Sequence, residues 1–338
     1  MDRPENQLPD IRRRAFENAC QQALTDWPPG IAARAPERPV TCMGLSFSNR
    51  LGIAAGFDRT GRLGRNAGAL GFGSIEIGSW QRSVPPQIAG GGPPRMTLAG
   101  IRLAIQETEA PERETDRLKE LIEACWWSAD YLTLAPNWLR TATAFPKLHA
   151  HLVALIEFRG QLAQLTGKHC PIVFKLRLTP GSTNDLGLLP YLASMGLDGI
   201  LICFDFGKPF TEKSFRQWDC QKLQASVCHT LELCRKRMPA GTALLTNGGV
   251  QSSRQYRDRL NAGADLVQVH NALVFKGPDA GYRILQPHLR VTNRRMPATP
   301  EKFSSWRSTP GGGPAQQGET SHNPGPAGTP ATTESGPV

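Results

Sequence analysis

The sequence predicts an α/β protein of the (β/α)8 TIM-barrel class that lacks one crossover helix, with a short N-terminal helix and a disordered C-terminal tail. Three observations carry this. Short apolar, β-branched runs alternate with longer segments of helical period, the pattern of βα units in a parallel sheet. The runs number eight, which closes a barrel. From about Arg294 the large apolar residues almost vanish and Gly, Pro, Ser and Thr dominate, so little apolar surface remains to offset the entropy of ordering.

Residues 1–40 read as a helical extension, with apolar positions at Ile11, Ala15, Phe16, Ala19, Cys20, Ala23 and Leu24 and a basic cluster Arg12–Arg14. This amphipathic helix either caps the barrel or touches a membrane. Residues 41–292 hold the barrel, and 293–338 the tail. The strands are predicted at 52–55, 74–78, 101–105, 131–134, 172–176, 199–203, 243–246 and 266–269. Crossover helices are predicted at 62–70, 114–127, 145–165, 185–195, 220–237 and 252–261. Between Ser79 and Gly100 the Pro/Gly-rich stretch around Gly90–Pro94 cannot hold a helix, so strand two reaches strand three by a loop.

Composition narrows the function. The net charge of +10 is scattered, without a basic stripe interleaved with aromatics, which argues against nucleic acid. The eight cysteines form no C-x-x-C or other ligand-like spacing, and no metal is expected. No signal-peptide pattern is read, so reduced, mostly buried thiols and a cytoplasmic or peripheral inner-face location are expected. His149 and His151 read as helix-surface residues, one of Trp126 and Trp127 as buried, and Arg235–Arg237 as a helix terminus that needs no anionic partner.

In this fold chemistry sits at the carboxyl ends of the strands, and phosphate often sits after strands seven and eight. Asn247-Gly248-Gly249-Val250 comes after strand seven, and His270-Asn271-Ala272 after strand eight. Glycines at that position point to the phosphate of a flavin mononucleotide, FMN.

Two longer segments are more specific. Cys42-Met43-Gly44-Leu45 leads to Asn49-Arg50-Leu51-Gly52-Ile53-Ala54-Ala55-Gly56-Phe57-Asp58-Arg59 and then to Gly71-Phe72-Gly73-Ser74-Ile75-Glu76-Ile77-Gly78-Ser79. Near the other end stand Ala262-Gly263-Ala264-Asp265-Leu266-Val267-Gln268-Val269 and Phe275-Lys276-Gly277-Pro278. Together they resemble the class 2, quinone-dependent dihydroorotate dehydrogenases, over roughly residues 10–290. The resemblance implies FMN across the barrel mouth, dihydroorotate stacked on it, and a Ser after strand four that takes a proton. It assigns Ala54, Ala55, Gly56, Ser79, Lys175, Gly248, Gly249, His270 and Asn271 to the cofactor, and Arg59 and Asn137 to remnants of the substrate site. A small anionic ligand is the implied partner.

The same resemblance implies a loss. The Ser-Pro-Asn loop reads Ala135-Pro136-Asn137, so the general base is a methyl group, and general-base catalysis is worth roughly 10²- to 10⁴-fold. The family's strand-three and strand-four asparagines align with Ala104 and Leu132, and its Asn-Thr after strand six with Phe204-Asp205. Its Ser-Gly aligns with Asp219-Cys220, a carboxylate on the phosphate side. Cys203 and Asp205 are the local candidates for a replacement base, although inert core and a loop cap are their plainer roles. The expectation is a pseudoenzyme or altered flavoprotein, with an active dehydrogenase as the alternative.

Overall fold

The computed structural model describes residues 8–25, 38–90, 97–105, 111–135, 145–181, 186–204 and 211–285. Helix α1 (Leu8–Leu24) precedes a hairpin of β1 (Val40–Cys42) and β2 (Leu45–Phe47). Eight more strands complete the sheet structure: β3 (Leu51–Ile53), β4 (Ser74–Trp80), β5 (Leu98–Leu103), β6 (Tyr131–Leu134), β7 (Ile172–Leu178), β8 (Gly199–Phe204), β9 (Ala243–Asn247) and β10 (Leu266–Val269). They close a parallel barrel in chain order, with β10 pairing both β3 and β9. Each predicted run corresponds to one of these strands. The third begins earlier than predicted because Gly100 lies inside it: a Cβ there would stand 2.3 Å from Cζ of Tyr131, whose ring takes that space.

Around the barrel lie α2 (Pro111–Cys125), α3 (Phe145–Thr166), α4 (Leu188–Ser194), α5 (Glu212–Gln217), α6 (Gln221–Arg237), α7 (Ser253–Asn261), α8 (Asn271–Lys276) and α9 (Ala280–Leu285). Ser252 caps α7, its side chain accepting from the Gln255 N–H. The predicted first crossover, 62–70, is corrected to a 3₁₀ helix, Gly64–Leu70. The cause is crowding: the backbone of 87–89 runs against it, Arg65 N–H donating to the Ala89 carbonyl at 2.8 Å. No helix or strand is assigned over 81–90 or at Thr97, in keeping with the expected loop.

Strand alternation sorts the side chains. Ile101, Leu103, Leu132, Leu134, Phe174, Ile200, Ile202 and Leu244 pack outward with Leu118, Leu121, Leu155, Leu189 and Leu231 of the helices. Alternate residues, among them Arg102, Thr133, Lys175 and Cys203, therefore face the lumen. Tyr131, Val173, Leu201 and Leu245 fill its lower end together with Cys42 and Phe47. The hairpin is thus the barrel's plug, and sequence reading missed it. Its signal was the alternation Val-Thr-Cys and Leu-Ser-Phe about Met43-Gly44, both of positive φ (55° and 73°), a turn that fits a two-residue hairpin.

Helix α1 uses its apolar stripe internally. Ala15, Ala19 and Ala23 are buried, and the helix packs on the 3₁₀ helix and α8. Arg62 pairs with Glu17 and lies 4.9 Å from the centroid of the Phe16 ring, fixing α1 over the barrel. No helix among the described residues is long and apolar enough to cross a membrane. Arg235 needs a correction: it pairs with Asp265 at 3.2 Å and donates to the Pro239 and Thr242 carbonyls, so α6 is tied to the segment before β10. Trp126 is buried and Trp127 exposed, as expected. The tail, 293–338, lies outside the described residues.

Candidate functional site

The barrel mouth is built first from the segment after β3. Ala54 is buried, its N–H donating to the Val269 carbonyl at 2.9 Å, so β3 and β10 stay joined past their ends. Ala55 and Gly56 are half-buried. Gly56 N–H donates to the Gly78 carbonyl at 2.8 Å, and Gly78 N–H to the Asp58 carbonyl at 3.0 Å. Asp58 organises the turn at residues 60–64. Its fully buried carboxylate accepts from the backbone N–H groups of Thr60 (3.1 Å), Gly61 (2.8 Å), Leu63 (3.1 Å) and Gly64 (2.9 Å). Ser79 is exposed at the end of β4, and Arg59 is exposed on the rim.

Above this wall stands His270. Its Nδ1 lies 2.7 Å from Asn271 Oδ1, and its ring meets Phe57 edge-on at 5.9 Å between centroids. Burial pushes the imidazole down to about 4, with Arg12 and Arg59 adding to the fall against hydrogen bonds that Asn271 and the Gly56 backbone accept from the ring. His270 is therefore neutral near pH 7, and the fixed cations of this rim are the two arginines.

The lumen beneath is polar. Glu76 is buried, one of its oxygens accepting from Thr133 Oγ1 (3.1 Å) and Gln268 Nε2 (2.8 Å), while Asn247 Nδ2 donates to Gln268 Oε1 (3.3 Å). Lys175 and Arg102 enter the same space from β7 and β5, both half-buried. Neither forms an ion pair with Glu76, and Arg102 Nε is buried without a hydrogen-bond partner. Arg102 is the lumen residue that sequence reading missed; alternation around Ile101 and Leu103 would have placed it there. At the end of β6, half-buried Ala135 presents its methyl group. Asn137 and Asp205 lie outside the described residues.

The segment after β9 is the other end of the mouth. Gly248 (φ 99°) and Gly249 (φ 73°) both need glycine: a Cβ would stand 1.8 Å from the Phe204 carbonyl oxygen at the first and 2.0 Å from the Trp218 ring at the second. Protein packing alone accounts for that pair. Asp219 and Cys220 are exposed, and their N–H groups donate to the Arg216 and Gln217 carbonyls. That arm therefore has its donors engaged, and the predicted carboxylate at 219 is solvated. A separate cavity, lined by Glu17, Cys20, Leu24, Arg62 and Asn66, opens between α1 and the 3₁₀ helix. It contains none of the predicted cofactor residues.

Among the described residues no group of three His, Cys, Asp or Glu could hold a metal; His151 bonds Thr115 at 2.6 Å and His149 bonds Tyr191 at 2.9 Å. No family model matches the chain. Curated relatives do. It is 26% identical over 291 residues to a dihydroorotate dehydrogenase (quinone) of Bordetella avium, covering 72% of this chain and 82% of the relative. Against the protein of that name from Cellvibrio japonicus the identity is 26% over 305 residues, with coverages of 73% and 84%. The chain is a diverged homologue of the quinone-dependent dihydroorotate dehydrogenases. Solved structures agree on the dihydroorotate dehydrogenase fold. Two from Eimeria tenella, one ligand-free and one in complex with ferulenol, superpose with TM-scores of 0.65 and 0.63 at 18% identity. They cover 84% and 86% of this chain, and 94% and 92% of theirs.

Proposed function

We propose that this chain keeps the flavin nucleotide site of the dihydroorotate dehydrogenases and has lost the oxidation of dihydroorotate to orotate. The observation that carries the loss is the half-buried Ala135 at the end of β6, a methyl group where the resemblance implies the family's proton acceptor. The lumen compounds it. Glu76, its one carboxylate among the described residues, is bound by Thr133 and Gln268, and Cys203 is buried. Losing a general base alone removes roughly 10²- to 10⁴-fold in rate.

Two features support a flavin. Lys175 brings a cation into the lumen, suited to the anionic reduced ring, and the backbone of Ala54, Ala55 and Gly56 offers a flat wall stiffened by the Gly56 to Gly78 bond. Gly248, Gly249 and the start of α8 at Asn271 would hold the phosphate end, with Ser79, His270 and Asn271 along the rim. FMN, when bound, supplies the hydride acceptor. The chain's own residues then orient it, exclude water on the Ala54 side and place Arg59, Arg102 and Lys175 where a small anion would dock. The outcome is a pseudoenzyme or altered flavoprotein, with the rim or the cavity beside α1 as any contact for quinone or membrane.

The relatives' names favour a second reading, an active quinone-linked enzyme. Two measurements separate them. The purified protein is expected to carry FMN, seen in its absorption spectrum, and to fail to rescue growth of a strain lacking dihydroorotate oxidation. Rescue overturns the proposed loss; a colourless protein that FMN cannot reconstitute overturns the flavin site.

A further inference from the structure

We infer that Arg259 is the counter-charge of the Gly248–Gly249 turn, a positioning residue that aims the turn's N–H groups at a phosphoryl group. This rests on the flavin-nucleotide reading of the mouth. Arg259 lies on α7 and is 0% exposed. Its Nη2 donates to Gln224 Oε1 at 2.8 Å and to the Gly248 carbonyl at 3.3 Å. Its Nε and Nη1 are buried with no hydrogen-bond partner. The guanidinium lies 5.6 Å from the centroid of the Phe204 ring, and no carboxylate among the described residues forms a contact ion pair with it; Asp258, whose partner is Arg254, acts on it only through its field. Burying a cation without a counter-ion is costly, and a guanidinium does not escape by losing its proton.

The turn explains what the charge is for. Gln224 Nε2 donates to the Gly249 carbonyl at 2.9 Å, so side chains from the helix layer hold both glycine carbonyls. In a trans peptide the C=O and the following N–H point in opposite directions. Engaging these carbonyls from the helix side turns the N–H groups of Gly249 and Val250 away from the helices, and neither has an acceptor among the described residues. Two adjacent unshared backbone donors with a buried cation behind them make a cradle for an anion. A dianionic phosphate monoester would supply the charge that Arg259 lacks.

FMN and riboflavin share every ring atom and differ in the phosphate, so their comparison isolates this end of the site. Both are titrated by flavin fluorescence against the full chain, Arg259→Lys, Arg259→Met and Arg259→Gln. The wild type is expected to prefer FMN. Arg259→Met should lose about ten- to fifty-fold of that preference, the size of one charge pair several ångströms apart at intermediate dielectric, with riboflavin affinity unchanged. Arg259→Lys should keep most of it, and Arg259→Gln serves if the Met variant does not fold. An unchanged preference in the uncharged variants overturns the inference and leaves the flavin reading intact. If the wild type binds neither flavin, the flavin reading falls. The inference is then decided by inorganic phosphate, which must raise the Tm of the wild type and not that of the uncharged variant.

Discussion

Replacing Asp58 with alanine tests whether one carboxylate builds the wall of the mouth. Four backbone N–H groups converge on it at 2.8–3.1 Å. Three belong to the buried residues Gly61, Leu63 and Gly64, whereas Thr60 is exposed and recovers water. A buried donor left unsatisfied costs about 1–3 kcal/mol, so three set a range of about 3–9 kcal/mol. Opening of the loop to water takes the lower part, about 3–5 kcal/mol. Asp58→Asn keeps the acceptor for one pair of donors and turns an amide NH₂ toward the other, for an expected loss of about 1–3 kcal/mol. Urea unfolding measures both, and flavin affinity should fall with stability because the Asp58 carbonyl also accepts from Gly78. A loss under about 1 kcal/mol for the alanine variant would mean that the segment holds its shape without the carboxylate, and that the wall has another support.

Other predictions concern single groups. His270, depressed to about 4 from 6.5, stays neutral in the fold while the unfolded chain takes up a proton below 6.5. Its contribution is thus fully present above 6.5 and lost as pH falls toward 4. For this half-buried ring the loss is about 1–2 kcal/mol, and His270→Phe should show a correspondingly shallower Tm decline between pH 7 and 4.5. A parallel decline in the two proteins contradicts the assignment. Gly249→Ala should cost at least about 2 kcal/mol, with Trp218→Leu in the same chain recovering the clash but not the penalty for positive φ; no recovery would mean that the ring is not what excludes the Cβ. Ala135→Ser should leave dihydroorotate-dependent dye reduction at background, because on the proposed reading the other substrate groups are replaced as well. Restored turnover by that single change would show that the pocket residues have been misassigned.

The barrel was legible because its signal is carried by many residues at once. Eight runs such as Ile172–Leu176 and Gly199–Cys203 repeat one pattern, and mispredicting a boundary, as at Gly100, leaves closure unaffected. The hairpin plug escaped notice because each of its strands is three residues long, too short for alternation to stand out. The 3₁₀ helix was misread because 62–70 has helical spacing, and the packing of 87–89 against it is a long-range event. At the site, Lys175 and Ala135 were given their roles by the family resemblance, and strand register adds that Lys175 faces the lumen. Arg259 could not: its helix reads as a polar surface segment, and only the fold carries its guanidinium beneath the glycine turn.

The two faces of each strand explain how such a barrel can keep its fold while its lumen side chains change. Outward residues such as Ile101, Phe174 and Ile202 are fully buried against the helices, and deleting one costs about 2–5 kcal/mol, much of a domain's net stability. Their neighbours one position along, Arg102, Lys175 and Cys203, face the lumen and take little part in that packing. On the proposed reading, an alanine at 135 in place of a serine therefore costs catalysis and almost no stability. The glycine turn differs, because Gly248 is required by the Phe204 carbonyl and Gly249 by the Trp218 ring. The proposed phosphate end is thus tied to folding and the proposed proton-transfer end is not. A diverging chain accordingly keeps the first and is free to lose the second.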